Sequence, residues 1–177
     1  GNMNSSKVIA VDLDGTLTLT DTLHESVLAL VRINPFMLFL IPFWLIRGVA
    51  HLKLKVAENS MLDVTTLPYN ISFIDWLKEQ KSGGTKIVLC TAANERIAQA
   101  IYKHLHLFDD VIASDDNVNL KSNNKRDALI ERYGEKGYDY AGNSSSDIEV
   151  WTGASQAIVV NANERVLAKA SQVASVS

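Results

Sequence analysis

Residues 7–16 read KVIAVDLDGT, and this stretch decides the fold. Val8, Ile9 and Val11 are β-branched and Ala10 is small, so the run suits a buried strand. Asp12, Asp14 and Gly15 end it in an acidic turn. A short apolar strand that delivers carboxylates to its C-terminal end is how open α/β sheets build ligand sites.

Outward from that turn the chain alternates. The pattern predicts further strands over 86–90 (KIVLC), 111–112, 138–141 and 157–160. Helices are expected over 21–33, 49–61, 71–80, 92–106, 125–133 and 164–171, with Thr20 or Asp21 capping the first and Gly134 stopping the fifth. Strands that alternate with helices imply an α/β fold: a Rossmann-like parallel sheet covered by helices on both faces. One segment breaks the rhythm. Residues 19–70 are helical and apolar, and they follow the first strand directly. They read as a small helical cap inserted into a core formed by 1–18 and 71–177.

The chain has 177 residues, 47% apolar and 21% charged, which fits a globular core plus a small insertion. A net charge of -3, with no lysine-arginine cluster, gives nucleic acid no electrostatic hold. The single cysteine, Cys90, excludes an internal disulfide, fits a reducing compartment and reads as inert core. Gly1, Asn2 and Met3 look like a tag scar before a start at Met3, with no signal peptide behind it. A cytoplasmic location is expected. The run 36–46 (FMLFLIPFWLI) is shorter than the roughly 20 residues that a spanning helix needs. Its simplest reading is the packed interior of the cap; contact with a membrane surface is the alternative.

The chemistry-bearing residues stand at strand ends. Asp12 and Asp14 follow the first strand, Thr91 the second, Lys121 and Lys125 precede a later helix, and Asn143 and Asp147 follow the fourth strand. An aspartate is ordinarily ionised at neutral pH and attacks phosphorus without a base. A metal ion and a lysine offset the repulsion between that carboxylate and a phosphate. A second carboxylate two residues on serves as acid, then base, if its neighbours raise its pKa. Gly15 lets backbone approach a phosphate. Thr91 and Ala92 lie where a helix N-terminus would bind an anion, although Thr91 reads equally as a plain helix N-cap.

These residues resemble the motifs of the haloacid dehalogenase (HAD) superfamily. Asp12-Leu13-Asp14-Gly15-Thr16 matches its DxDGT sequence at every position, and Thr91 matches the second motif. Lys125 is the choice for the motif lysine, in the register of phosphoserine-phosphatase-like members, with Lys121 as the alternative. The fourth motif, G-D-x-x-x-D, appears as Gly142-Asn143-Ser144-Ser145-Ser146-Asp147, so its first acid is an asparagine. The resemblance implies Asp12 as nucleophile, Asp14 as acid and base, and Gly15, Thr91, Ala92 and Lys125 around the phosphate. It implies Mg2+ held by Asp12, Asp14, Asn143 and Asp147, more weakly because Asn143 brings no charge. The apolar cap and the ending of 138–151 (YDYAGNSSSDIEVW) also resemble the HAD domain fused ahead of UbiA-type prenyltransferases, which implies a membrane-associated part of a longer protein.

The expected function is phosphomonoester hydrolysis, with the apolar cap hinting at a lipidic or bulky organic phosphate. Asn143 favours a second reading, a catalytically weak regulatory or partner-binding module. A phosphotransferase or mutase would use the same residues. A receiver-type signalling domain gathers similar side chains, but its phosphorylated aspartate lies at a later strand and no cap follows its first.

Overall fold

The computed structural model describes residues 7–176. The expected tag scar at Gly1, Asn2 and Met3 lies outside them. Among the described residues six parallel strands form one sheet: β1 (Val8–Val11), β2 (Lys86–Asn94), β3 (Asp110–Ser114), β4 (Asp139–Gly142), β5 (Gln156–Val159) and β6 (Ser175–Val176). Their order is β3-β2-β1-β4-β5-β6. β1 is central; Ile9 stands opposite Ile87 on one side and Asp139 on the other. All four of its residues are buried, as a strand covered on both faces requires.

Side chains alternate across the sheet and feed two cores. Ile9, Val11, Ile87 and Leu89 face one way, toward α4 (Ile71–Ser82) and α5 (Glu95–Leu105). Val8, Ala10, Val88 and Cys90 face the other, toward α6 (Asn123–Tyr133), α7 (Ile148–Thr152) and α8 (Glu164–Val173). Trp151 fills the second core, and its Nε1 donates to Tyr140 O at 2.9 Å, so the indole is buried without an orphan N–H. Cys90 is buried too, and burial pushes its thiol up to about 12.

Three departures from the sequence reading have local causes. The expected helix from residue 92 starts at Glu95, because β2 continues to Asn94, which pairs with Ser114 after a register shift. Asn94 then caps α5 by accepting from Arg96 N at 2.9 Å. The short α7 and β6 carry too few residues for a periodic signal.

The third departure is the insertion. It runs through α1 (Thr22–Ile33), a 3-10 segment (Pro35–Leu40), α2 (Ile41–Ile46) and α3 (Val49–Ser60). α1 packs on α3, and the buried apolar side chains between Thr22 and Ser60, Leu30, Ala50 and Val56, all lie on those two helices. The run 36–46 is therefore not a packed interior: none of its residues is buried. Two helices of twelve residues cover each other with one stripe apiece, and the turn joining them extends beyond that contact. Polar links tie α3 to the core. His51 Nδ1 lies 2.8 Å from Asp116 Oδ1, and Arg96 Nη2 lies 3.8 Å from Glu58 Oε1.

Candidate active site

The strand order reverses between β1 and β4, so the loops after both open into one crevice, where doubly wound sheets bind ligands. A cleft of about 440 Å³ lies there. It is lined by Asp12, Asp14 and Gly15 from β1, Lys121 and Lys125 beside α6, and Asn143 and Asp147 from β4. Asp12 N donates to Ala141 O at 2.9 Å, which fastens the first loop to the neighbouring strand.

A chain of hydrogen bonds crosses the floor. Lys125 Nζ donates to Asp12 Oδ1 and to Tyr140 Oη, both at 3.0 Å. Tyr140 Oη donates to Asp147 Oδ1 at 2.7 Å. Asp147 Oδ2 accepts from the backbone N–H groups of Asn143 at 3.0 Å and Ser144 at 3.1 Å. Lys125 is 4% exposed and Asp147 3%, so each depends on these partners. Of the two candidate lysines, Lys125 contacts Asp12, while Lys121 only lines the cleft.

Burial pushes the Asp12 carboxyl up to about 7, with Asp147 and Asp14 acting the same way and Lys125 opposing. Asp12 is therefore harder to ionise than a free aspartate, and a cation beside it favours the carboxylate. Burial also works against the charge of Lys125, but Asp12, Cys90 and Asp147 outweigh it and raise the lysine. Asp14 Oδ1 accepts from Thr22 N, the start of α1, at 2.8 Å. Its pKa is raised chiefly by burial, the Thr22 bond opposing and Asp21 adding to it. Desolvation thus does what the sequence reading assigned to neighbouring carboxylates.

Other expected site residues stand elsewhere. Thr91 is neither a helix cap nor a cleft residue; it lies inside β2, 1% exposed, and its Oγ1 accepts from Ala93 N at 3.0 Å. Ala92 does line the cleft, and its carbonyl accepts from Lys53 Nζ at 2.8 Å. Gly15 has φ +79, and a Cβ there would strike the Asn143 amide, so the close approach it permits is to Asn143. Thr16 Oγ1 donates to Asn143 Oδ1 at 3.3 Å.

Whether these residues suit a divalent cation turns on their free oxygens. Among the described residues no three His, Cys, Asp or Glu side chains cluster as a metal centre would. Both Asp147 oxygens accept from protein donors, which sets that residue apart from the metal ligand expected there. Asp12 Oδ2 accepts no hydrogen bond among the described residues, and Asn143 Oδ1 accepts only the long one from Thr16. One carboxylate and one amide still fit Mg2+, which takes few protein ligands and completes its shell with water and phosphate oxygens.

Sequence reading missed two residues. Tyr140 stood only within the expected strand 138–141, yet its hydroxyl joins Lys125 to Asp147. Lys53 comes from α3 and reaches the cleft, held by Ala92 O and by Asn119 Oδ1 at 2.8 Å. Burial lowers its pKa. A smaller cavity of about 70 Å³ adjoins the cleft between α1, α3 and α5, lined by Asp14, Ser26, Lys53, Val56, Asn94 and Ile97 among others. Asn94 Nδ2 is a buried donor there without a hydrogen-bond partner among the described residues.

No family model matches the sequence. The chain is 37% identical over 150 residues to an uncharacterized protein, y4nM, of Sinorhizobium fredii. That match takes in 84% of this chain and 29% of the relative, so the chain spans under a third of that relative's length. Among solved structures, a substrate-bound phosphoserine phosphatase complex superposes with a TM-score of 0.66 at 17% identity, covering 96% of this chain and 92% of that one. A phospho-aspartyl intermediate analogue of phosphoserine phosphatase gives 0.64 at 18%, covering 97% and 92%. A HAD family hydrolase of Salmonella enterica serovar Typhi gives 0.66 at 15%, covering 92% and 65%. The chain has the fold of these phosphoserine phosphatases and of this HAD family hydrolase, a Rossmann-like α/β sheet.

Proposed function

We propose that this chain is a Mg2+-dependent phosphomonoester hydrolase that works through an aspartyl-phosphate on Asp12. The observation that carries the reading is the Lys125–Asp12 contact at 3.0 Å, set at the switch point with Asp14 two residues away. Lys125 holds Oδ1 and leaves Oδ2 to attack phosphorus. As the new P–O bond forms, the ester P–O bond breaks and Asp14, whose burial favours the protonated carboxyl, gives a proton to the departing alkoxide. Water then attacks the phosphorus, Asp14 takes its proton, and phosphate leaves Asp12 as a carboxylate. Asn143 Oδ1 and the Asp12 carboxylate oxygen that does not attack, with Asp14 beside them, would hold the magnesium. When bound, the ion supplies positive charge against the phosphoryl oxygens.

The lining of the small cavity bears on the substrate. Lys53 and the unpartnered Asn94 Nδ2 favour a leaving group that carries a hydrogen-bond acceptor close to the phosphate. The apolar run 36–46, the basis for expecting a lipidic or bulky organic phosphate, lines neither the cleft nor this cavity. A lipidic phosphate would therefore enter by its polar head.

The test is hydrolysis of an aryl phosphate and a panel from phosphoserine to prenyl phosphates, with and without Mg2+. Magnesium-dependent turnover should fall by about three orders of magnitude or more in Asp12→Asn. Turnover untouched by that change would sink the mechanism. Asn143 supports the second reading, a weak or silent module of a membrane prenyltransferase, since an amide brings no charge to the ion. Asn143→Asp discriminates: it should lower the magnesium concentration for half-activity, and activity absent from both proteins would favour the module.

A further inference from the structure

The tip of the insertion inverts the usual distribution of side chains. Phe36, Phe39, Phe43 and Ile46 recur at spacings of three, four and three, which puts them along one face of the 3-10 segment and α2. They are 76%, 73%, 66% and 80% exposed. Isolated exposed apolar residues are ordinary, but a continuous stripe of this kind marks a contact surface.

Charge indicates what the stripe contacts. From Glu25 to Glu58 the sequence holds no other acidic residue, in a chain whose net charge is -3. Arg32, in the last turn of α1, and Arg47, at the end of α2, bracket the stripe. Both are exposed, and neither pairs with a carboxylate among the described residues. Apolar side chains between unpaired arginines match a bilayer surface, where rings enter the acyl boundary and guanidinium groups stay among anionic headgroups. Among the described residues no helix is long and apolar enough to cross a membrane, so the segment would lie in the interface.

We propose that the segment from Pro35 to Ile46 docks this chain on an anionic lipid surface. Docking places the candidate site one helix away from the bilayer, because α1 runs from Asp14, which holds its first residue, to the docking tip.

The experiment is co-sedimentation of the whole chain with vesicles of phosphatidylcholine alone and of phosphatidylcholine mixed with phosphatidylglycerol. Binding should be stronger to the anionic vesicles and fall with added salt. The triple variant Phe36→Glu, Phe39→Glu, Phe43→Glu should weaken it by about tenfold or more, a large change because three rings lose their apolar contact. Its circular dichroism and aryl-phosphate turnover should match the parent, since none of the three is buried or lines the cleft. Arg32→Gln with Arg47→Gln should remove the preference for anionic vesicles. No binding to either vesicle, or binding equal in the triple variant, overturns the proposal. So does self-association by sedimentation equilibrium that the triple variant abolishes without any vesicle binding; a second copy would then cover the stripe.

Discussion

Two regions of this molecule break the rule that polar groups face out and apolar groups face in, and they break it in opposite senses. On the crevice floor, Lys125, Tyr140 and Asp147 bury their polar groups beside the partly exposed Asp12, and each finds a partner within the chain. At the insertion tip, Phe36, Phe39 and Phe43 expose their rings, and nothing among the described residues covers them. The first inversion is compensated internally, so it stiffens the structure. The second has no internal compensation, so it points outward to a contact. Removing a member of the floor should cost stability; removing a ring from the tip should cost almost none.

The largest effect is expected from Lys125→Met, which leaves the Asp12 carboxylate buried without its cation. Breaking a buried pair from one side costs about 3 kcal/mol. Urea denaturation reads it, and turnover should fall with it. A stability close to the parent's would show that Asp12 is not held as the floor requires.

The titration of Asp12 comes next. Its folded-state pKa of about 7 stands above the ordinary 3.8, so the folded protein holds a proton that the unfolded chain has lost between those values. This contribution to stability is present below 3.8 and disappears as pH rises through about 7. In the metal-free protein stability should fall across that window, and Asp12→Asn should flatten that slope. An unchanged slope in the variant would assign the pH dependence to another group.

Tyr140→Phe should cost about 1–2 kcal/mol, because Asp147 Oδ1 and Lys125 lose one partner together. Thermal or denaturant melting measures it. The smallest effect belongs to the tip: Phe39→Ser should move stability by less than about 0.5 kcal/mol. A loss as large as that of Tyr140→Phe would mean that the ring is packed, and would end the contrast between the two regions.

Much of this was legible in the sequence because it is local. The β1 run ends in Asp12 and Asp14 within a few residues, and Asn143 and Asp147 share one loop after β4. Strand-helix alternation gave the layers, since each period lies within one element. What stayed hidden depends on distance or on a neighbour. Lys53 enters the cleft from another segment, and its partner Asn119 is 66 residues away. Tyr140 reads only as a strand residue; its role comes from the position of its hydroxyl, which no periodicity records. Thr91 was misplaced because the shift that prolongs β2 to Asn94 belongs to its pairing with β3. The exposure of the run 36–46 was hidden because composition measures how apolar a segment is, and burial depends on what remains to cover it.

The hydrogen-bond chain on the floor has a consequence for how the protein folds. The Tyr140–Asp147 bond closes a loop of 7 residues and the Trp151–Tyr140 bond one of 11, whereas Lys125–Asp12 spans 113. By the logarithmic loop-length law, the long closure costs about 2.5 kcal/mol more chain entropy than the shortest one. The β4 half of the crevice can therefore form from its own short stretch of chain. The pairing of Asp12 with Lys125 requires β1 and α6 to be docked on the sheet, so on loop length the β4 half of the crevice is expected to form while Asp12 is still unpaired.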